Sequence, residues 1–127
     1  MKKPIIYIAS AYTRGDPAIN VHFQCGIFDQ LLSDGLVWPV APLWTYFQHM
    51  PLPRPYDDWT AYDRALFHLY DGCLRLDVEE PAIQYWQHES SGADSEVEAF
   101  KLMGKPVFYD ISGLYAWVKT QDTETVT

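Results

Sequence analysis

The chain has 127 residues, of which 48% are hydrophobic and 16% aromatic, so it can bury a core and is not a disordered chain. Its formal net charge of −8 argues against a protein that coats the nucleic-acid backbone, although a small nucleotide ligand needs only a local patch of donors. No apolar run approaches the roughly 18 residues of a membrane span. The two cysteines form no CxxC pattern, so we expect a cytoplasmic protein with reduced thiols and no membrane contact.

The first strand and the first helix are marked by local signals. Apolar, β-branched and aromatic residues fill Ile5–Ala9, which is typical of a strand buried on both faces. Asp16 and Pro17 suit the start of a helix, and Gly35 suits its end. Between them, an apolar face repeats at helical spacing through Val21, Cys25, Phe28 and Leu32.

The next part of the chain is rich in proline and aromatic residues. Residues 36–40 predict a second strand, which Pro39 disfavours at the centre of a sheet because proline has no amide hydrogen to donate. Residues 41–56 contain four prolines, so we expect no regular structure there. The aromatic side chains of this segment can stack on a flat ligand or can simply cover the core, and Trp44 is the candidate ligand contact among them.

The second half of the chain predicts further alternating elements. Residues 58–70 predict a helix with an inner side formed by Trp59, Tyr62, Leu66 and Leu69. Residues 72–77 predict a third strand, and residues 78–89 a connecting loop. The following helix ends at Gly104, residues 105–110 predict a fourth strand, and residues 112–119 a short last helix. Residues 120–127 are polar and predict a C-terminal tail.

This β-α alternation predicts a three-layer αβα domain, Rossmann/flavodoxin-like, with a mainly parallel sheet of four to five strands. We expect a single domain over residues 1–119, followed by the tail at 120–127. Ligands of such sheets bind beyond the carboxyl ends of the strands. That rule selects the segments after Ala9 and Val40, and the segment from Asp77 to Glu96.

Glu96 is the first candidate for chemistry. It follows a Ser-Ser-Gly bend at the predicted start of a helix, where a carboxylate could attack an electrophilic carbon and form a covalent intermediate. Acidic residues also stabilise helix N-termini electrostatically, and spacing alone favours this second interpretation for Glu96. For Glu98 we expect only the helix-terminal role.

Asp63 and Tyr7 are further candidates. An aspartate inside a helix is locally unfavourable, and the neighbours of Asp63 at helical spacing are apolar. It can therefore face a cleft, where burial would raise its pKa and suit it as a proton donor, or it can form a surface pair with Arg64 or with a neighbouring helix. Tyr7, central in the first strand, can orient a carboxylate or fill space.

The loop after the first strand and the bend before Glu96 are candidate binding segments. Ser10 and Arg14 can bind an anion together with helix N-terminal amides, although Arg14 is equally plausible as a solvated charge. Ser90 can contact a phosphate or a sugar hydroxyl. The four histidines lack metal-ligand spacing, and no dinucleotide, P-loop or serine-hydrolase motif is present. We expect no metal.

Three stretches, IYIASAY, YDRALFHLYDGCLRLD and SSGADSEVEAFKLMGKPV, resemble the nucleoside 2-deoxyribosyltransferase superfamily, which includes deoxynucleoside-monophosphate N-glycosidases. The resemblance covers residues 5–109 and is greatest to small bacterial or phage members. Ser90, Gly92 and Glu96 fit the register of its nucleophile motif, and Asp63 and Tyr7 match two further positions. The chain departs from the family after the first strand, where ASAY replaces the usual glycine-serine pair and Ser10 is the nearest match. The region 84–88 is also longer than in many members.

The resemblance implies that Glu96 attacks the anomeric carbon of a deoxyribosyl group, that Asp63 protonates or holds the leaving base, and that Tyr7 holds Glu96. Ser90 and Arg14 would take the 5′ end, with a preference for 5′-monophosphates because Ser90 is a neutral donor and Arg14 is cationic. The partner is a small nucleoside or nucleotide, no cofactor is required, and a homodimer or higher homo-oligomer is expected.

Three alternatives stay open at this point. They are a non-catalytic nucleotide-binding or sensing protein on the same fold, a glycohydrolase of NAD or a related ribosyl nucleotide, and a structural or interaction protein.

Overall fold

The computed structural model describes residues 2–12, 16–77 and 91–126, apart from the side chains of Ser91 and of residues 122–126. Its sheet has four parallel strands in the order β2-β1-β3-β4. The strands are β1 (Ile5–Ala9), β2 (Trp38–Val40), β3 (Gly72–Arg75) and β4 (Val107–Phe108). Pro39 lies in β2 at the edge of the sheet, as its missing amide hydrogen predicted.

Five helices connect and follow these strands in the described part of the chain. They are α1 (Pro17–Asp34), α2 (Thr45–His49), α3 (Tyr56–Ala65), α4 (Ser91–Leu102) and α5 (Ile111–Val126). The predicted ends of α1 are confirmed. Asp16 Oδ1 accepts from the Ala18 amide at 2.8 Å, and Gly35 ends the helix in the left-handed conformation with φ 76°.

The helices cover both faces of the sheet, because successive side chains of a strand point to opposite faces. Ile6 and Ile8 of β1 face a buried cluster that includes Leu31 of α1 and Leu114 and Val118 of α5. The next group lies on the other face and consists of Tyr7, Ala9, Cys73, Phe67, Ala93, Val97 and Phe100. The predicted three-layer αβα fold is therefore confirmed.

The segment after β2 corrects the expectation of no regular structure. Pro42–Trp44 form a 3₁₀ turn and α2 follows directly. Pro42 occupies the start of the turn, where its missing amide hydrogen costs nothing, and Thr45–His49 contain no proline. The prolines after position 50 separate α2 from α3.

The helix predicted over residues 58–70 begins and ends earlier than expected. α3 stops at Ala65, and a 3₁₀ turn at Phe67–Leu69 leads into β3. The predicted inner side is wrong for two residues, since Tyr62 is 56% exposed and Leu69 is 54% exposed. α3 buries no residue completely, because its inner side faces a cavity and not the core.

The last helix is longer than the sequence indicated. α5 runs to Val126, so it continues through most of the segment predicted as a tail. Burial of Leu114 and Val118 anchors the first turns of α5, and a helix that has been nucleated adds further turns at little cost. None of the described helices combines the length and the apolar character that crossing a lipid bilayer requires.

Candidate active site

A cavity of about 1140 Å³ lies at the carboxyl edge of the sheet. Its walls come from the segment after β1, the segment after β2, the inner side of α3 and the first turns of α4. The position agrees with the general rule for ligand sites in parallel sheets. The structure brings five predicted site residues to its lining, namely Tyr7, Ser10, Asp63, Gly92 and Glu96.

Glu96 lies in the second turn of α4, since that helix begins at Ser91 and the acidic residue of its first turn is Asp94. The dipole of a helix acts mainly within the terminal turn. Glu96 is therefore too far along α4 to stabilise the helix N-terminus electrostatically. Burial instead dominates its electrostatics and raises its pKa to about 7. Glu98, two positions on, is exposed and lies 3.8 Å from the Lys101 ammonium group.

Tyr7 donates a hydrogen bond from its hydroxyl to Oε2 of Glu96. The tyrosine is 1% exposed, and its ring packs against Phe67, Tyr70 and Phe100 at centroid distances of 4.9, 5.6 and 5.5 Å. This packing fixes the position of the hydroxyl. Burial and the charge of Glu96 raise the pKa of Tyr7 well above its ordinary value, so the phenol stays protonated and remains a donor.

Asp63 contributes a second carboxyl group to the same cavity. Burial raises its pKa to about 7, and its negative charge in turn raises the pKa of Glu96. The ion pairs of the described residues do not include one between Asp63 and Arg64. The Arg64 guanidinium donates to Ser95 Oγ at 2.5 Å. Arg64 also lines the cavity, and its charge lowers the pKa of Glu96.

Burial raises the pKa of each carboxyl group to about 7, and the charge of Asp63 disfavours ionisation of Glu96, so the pair is only partly ionised near neutral pH. The hydrogen bond from Tyr7 stabilises the anionic form of Glu96. Near neutral pH, an ionised Glu96 held by the Tyr7 hydroxyl, with Asp63 protonated, is therefore one of the populated states. Such a pair can supply a nucleophile and a proton donor to one substrate.

Gly92 makes room for an aromatic residue that the sequence did not single out. A Cβ atom at position 92 would lie 3.0 Å from the Tyr56 hydroxyl oxygen. Tyr56 lines the cavity, and its pKa is raised by burial and by the charges of Glu96 and Asp63. The absence of a side chain on Gly92 thus lets Tyr56 approach the first turn of α4.

Ser10 is linked through Gln24 of α1 to the segment after β2, another wall of the cavity. Its Oγ accepts from Gln24 Nε2 at 2.9 Å, and the same amide nitrogen lies 3.2 Å from the carbonyl oxygen of Ile8. The side-chain oxygen of Gln24 accepts from the Leu43 amide at 2.9 Å. This buried network ties the loop after β1 and the segment after β2 to α1.

Trp44 is not among the residues that line the cavity. It is 55% exposed, and its ring contacts Phe28 and Phe47 at centroid distances of 6.4 and 5.8 Å. The helical turn at this point places neighbouring side chains in different directions, and Tyr46 lines the cavity instead. The prediction of Trp44 as a ligand contact therefore finds no support in the lining of this cavity.

Arg14, Ser90 and the loop at 78–89 lie outside the described residues, so the proposed contacts to the 5′ end stay predictions. The described part of the chain contains no group of three or more histidine, cysteine, aspartate or glutamate residues that could hold a metal ion.

Tyr46 belongs to the aromatic segment for which stacking on a flat ligand was one of two interpretations, and it lines the cavity. The sequence did not identify several other cavity residues, chiefly Tyr12, His49, Tyr56, Trp59 and Arg64. One signal was available for two of them. Trp59 precedes Asp63 by one helical turn, and Tyr56 lies one further turn back, so all three share a face of α3.

Comparison of the chain with known proteins adds no family assignment. A scan against protein-family models found no match, and a search of curated proteins found none either.

Proposed function

We propose that this protein cleaves or transfers the N-glycosidic bond of a deoxynucleoside or a deoxynucleoside 5′-monophosphate, with Glu96 as the nucleophile. The observation that carries the proposal is the buried Glu96 carboxylate, held by the Tyr7 hydroxyl and sharing its cavity with Asp63. The cavity volume of about 1140 Å³ is sufficient for a nucleotide.

In the first step, Glu96 attacks the anomeric carbon of the sugar. Tyr7 occupies Oε2, so Oε1 is the oxygen that forms the new C–O bond. The C–N bond to the base breaks, its electron pair stays on the base nitrogen, and Asp63 delivers its proton to the leaving base. A glycosyl ester of Glu96 results, as in retaining glycosidases, which use two carboxyl groups in this way.

In the second step, the ionised Asp63 takes a proton from the attacking group. Water as the attacking group gives hydrolysis, and a second base gives transfer. The ester C–O bond breaks and Glu96 returns to its anionic form. Both steps pass through a transition state with positive charge on the sugar, which the nearby Glu96 carboxylate stabilises.

Aromatic side chains support the choice of a flat leaving group. Tyr12, Tyr46 and Trp59 line the cavity, and the rings of Tyr12 and Tyr46 meet edge to face at 6.1 Å. Flat heteroaromatic bases pack favourably against such rings. The combination of aromatic walls and a carboxyl pair favours a glycosidic bond to a base over a bond between two sugars.

The proposal is tested by incubating the protein with deoxynucleosides, their 5′-monophosphates and NAD, and measuring release of the free base by liquid chromatography. We expect release from a deoxyribosyl substrate and its loss, by several decades of rate, in Glu96→Gln. Glu98→Gln is the matched control, because Glu98 is exposed on the same helix, and it should keep the parental rate.

Two results would contradict the proposal. Release of base from NAD alone would assign the site to a ribosyl nucleotide. Melting shifts with these ligands but without turnover would identify a nucleotide-binding or sensing protein.

A further inference from the structure

His49, the last residue of α2, lines the cavity and makes two hydrogen bonds through one ring nitrogen. Its Nδ1 lies 3.0 Å from Nε1 of Trp59 and 3.2 Å from the backbone nitrogen of Arg54. The rings of His49 and Trp59 meet edge to face, with their centroids 6.1 Å apart. Trp59 lies on the cavity side of α3.

These contacts fix which ring nitrogen carries the proton. An indole N–H and a backbone N–H can only donate, so Nδ1 of His49 accepts both bonds through its lone pair and carries no proton. The proton of the neutral imidazole is then on Nε2. Turning the ring over would bring a carbon atom to this position and leave the indole N–H of Trp59 without its acceptor.

The polar atom that His49 can offer to a ligand is therefore a donor. Nδ1 is used by Trp59 and Arg54, and within the described ranges no group forms a hydrogen bond with Nε2. A ligand group facing Nε2–H must be an acceptor, since a second N–H at this point would leave two donors facing each other in a partly buried site.

The position of His49 relative to Asp63 suggests which part of a substrate it meets. Trp59 and Asp63 are one turn apart on α3, about 5–6 Å between Cβ atoms, and His49 contacts Trp59. A base that receives a proton from Asp63 would extend along this face towards Trp59 and His49. The edge of the base that is remote from the sugar would then meet Nε2–H.

We propose that His49, held in one tautomer by Trp59, selects bases that carry an exocyclic carbonyl at this remote edge over bases that carry an amino group there. The favoured bases have an oxygen at position 6 of a purine or position 4 of a pyrimidine, as in hypoxanthine and uracil. Adenine and cytosine present N–H groups at the same places. The inference rests on the proposed function, because the orientation of the base in the cavity follows from its protonation by Asp63.

The first test measures the tautomer and needs no substrate. Nitrogen-15 NMR of the histidine-labelled protein at neutral pH should show His49 with its proton on Nε2, the signals being assigned through their loss in His49→Phe. Trp59→Phe keeps an aromatic ring but removes the N–H donor. In this variant the nitrogen-15 chemical shifts of Nδ1 and Nε2 of His49 should move towards each other, because the two tautomers would then exchange. A proton on Nδ1, or averaged nitrogens in the parent protein, would overturn the proposal.

The second test measures binding of free bases by calorimetry, comparing hypoxanthine with adenine and uracil with cytosine. The parent should prefer the carbonyl member of each pair by about tenfold, the size of one neutral hydrogen bond. The preference should vanish in His49→Phe, fall in Trp59→Phe and persist in His22→Phe, because His22 is exposed on α1. Equal or reversed preference in the parent, or no binding of any of the four bases, would overturn the proposal.

Different results would contradict the glycosidase function and the base selection by His49. Preferential binding of carbonyl bases without base release from any nucleoside would contradict the glycosidase function and support the role of His49. Base release at equal rates from deoxyinosine and deoxyadenosine, and from deoxyuridine and deoxycytidine, would support the glycosidase function and contradict the role of His49.

Discussion

Tyr7 holds Glu96 through a single hydrogen bond, and this bond should control the pH dependence of the reaction. The bond lowers the pKa of Glu96, opposing the rise caused by burial. In Tyr7→Phe the ring packing is kept and the donor is lost, so the pKa of Glu96 should rise. The acid limb of the kcat/KM profile should move to higher pH, and the rate at pH 7 should fall about 10–100-fold.

Tyr109→Phe provides the matched control, since Tyr109 is 60% exposed and does not line the cavity that holds the carboxyl pair. Its pH profile should coincide with that of the parent. An unshifted acid limb in Tyr7→Phe would contradict the role given to Tyr7.

Glu96 should also cost stability when it ionises. Its pKa is about 7 in the folded protein and about 4.5 for a glutamate in the unfolded chain, so the folded state binds this proton more tightly. Its contribution to stability is complete below about pH 4.5 and is lost as the pH rises through about 7. Glutamine cannot ionise and still accepts from Tyr7, so Glu96→Gln should be more stable than the parent at pH 8 by on the order of 1–3 kcal/mol.

Urea unfolding at pH 5 and pH 8 measures this difference. The increase in the free energy of unfolding of Glu96→Gln over the parent should be much smaller at pH 5 than at pH 8. The control Glu98→Gln should not show this difference between the two pH values. A Glu96→Gln variant that is equally stable or less stable than the parent at pH 8 would show that Glu96 is not buried as an anion.

At the scale of elements, α3 and α4 meet through Tyr56 and Gly92. Alanine at position 92 would favour the helix by up to about 1 kcal/mol, but its Cβ would lie 3.0 Å from the Tyr56 hydroxyl. We therefore expect Gly92→Ala to gain little stability alone and to gain more when combined with Tyr56→Phe, which removes the oxygen. Thermal unfolding of both single variants and the double variant measures this coupling.

Additive effects in that double-mutant cycle would mean that the close approach of Tyr56 to α4 has no energetic consequence. Gly26 is the control position, since no atom of the described residues outside its own stretch of helix backbone lies within 4 Å of a Cβ atom placed there. Gly26→Ala should give the same change in stability with and without Tyr56→Phe.

The elements that were predictable from the sequence carry their own signals. β1 is continuously apolar, and α1 has a capping aspartate and a terminal glycine within the chain itself. The segment that forms α2 and the end of α3 was not predictable in the same way. Its prolines indicated a loop, and its aromatic residues face a cavity and solvent, so their spacing does not report a buried helix face.

In the candidate site, too, some residues could be predicted from local sequence and others depend on contacts between distant parts of the chain. Glu96, Asp63 and Tyr7 could be proposed from their residue types and positions. The tautomer of His49 depends on Trp59, ten residues away, and the role of Gly92 depends on Tyr56, 36 residues away in the chain. Such contacts are set by tertiary packing, which no local pattern encodes.

At the scale of the whole molecule, one surface segment suggests self-association. Trp44, Phe47, Met50 and Leu52 are 55%, 49%, 63% and 65% exposed, and they lie close together in the chain. The rings of Trp44 and Phe47 are 5.8 Å apart, and large exposed apolar patches mark interaction sites. We propose that this segment lies between subunits of a homodimer or higher homo-oligomer.

Light scattering at micromolar concentration should give at least twice the monomer mass of 14.7 kDa. Phe47→Glu should shift the population towards monomer, because it places a charge in the apolar surface, whereas Leu102→Glu, at an 87% exposed position on α4, should not. A parent protein that is monomeric at all concentrations would contradict the interface.

The covalent bond between Glu96 and the sugar is tested most directly by intact-mass spectrometry. A deoxynucleoside with fluorine at C2 of the sugar should react slowly, because fluorine disfavours positive charge at the anomeric carbon. We predict a mass increase of one fluorodeoxyribosyl group, located by peptide mapping at Glu96 and absent in Glu96→Gln. Base release by the parent with no adduct, or with an adduct at another residue, would contradict the role of Glu96 as the nucleophile.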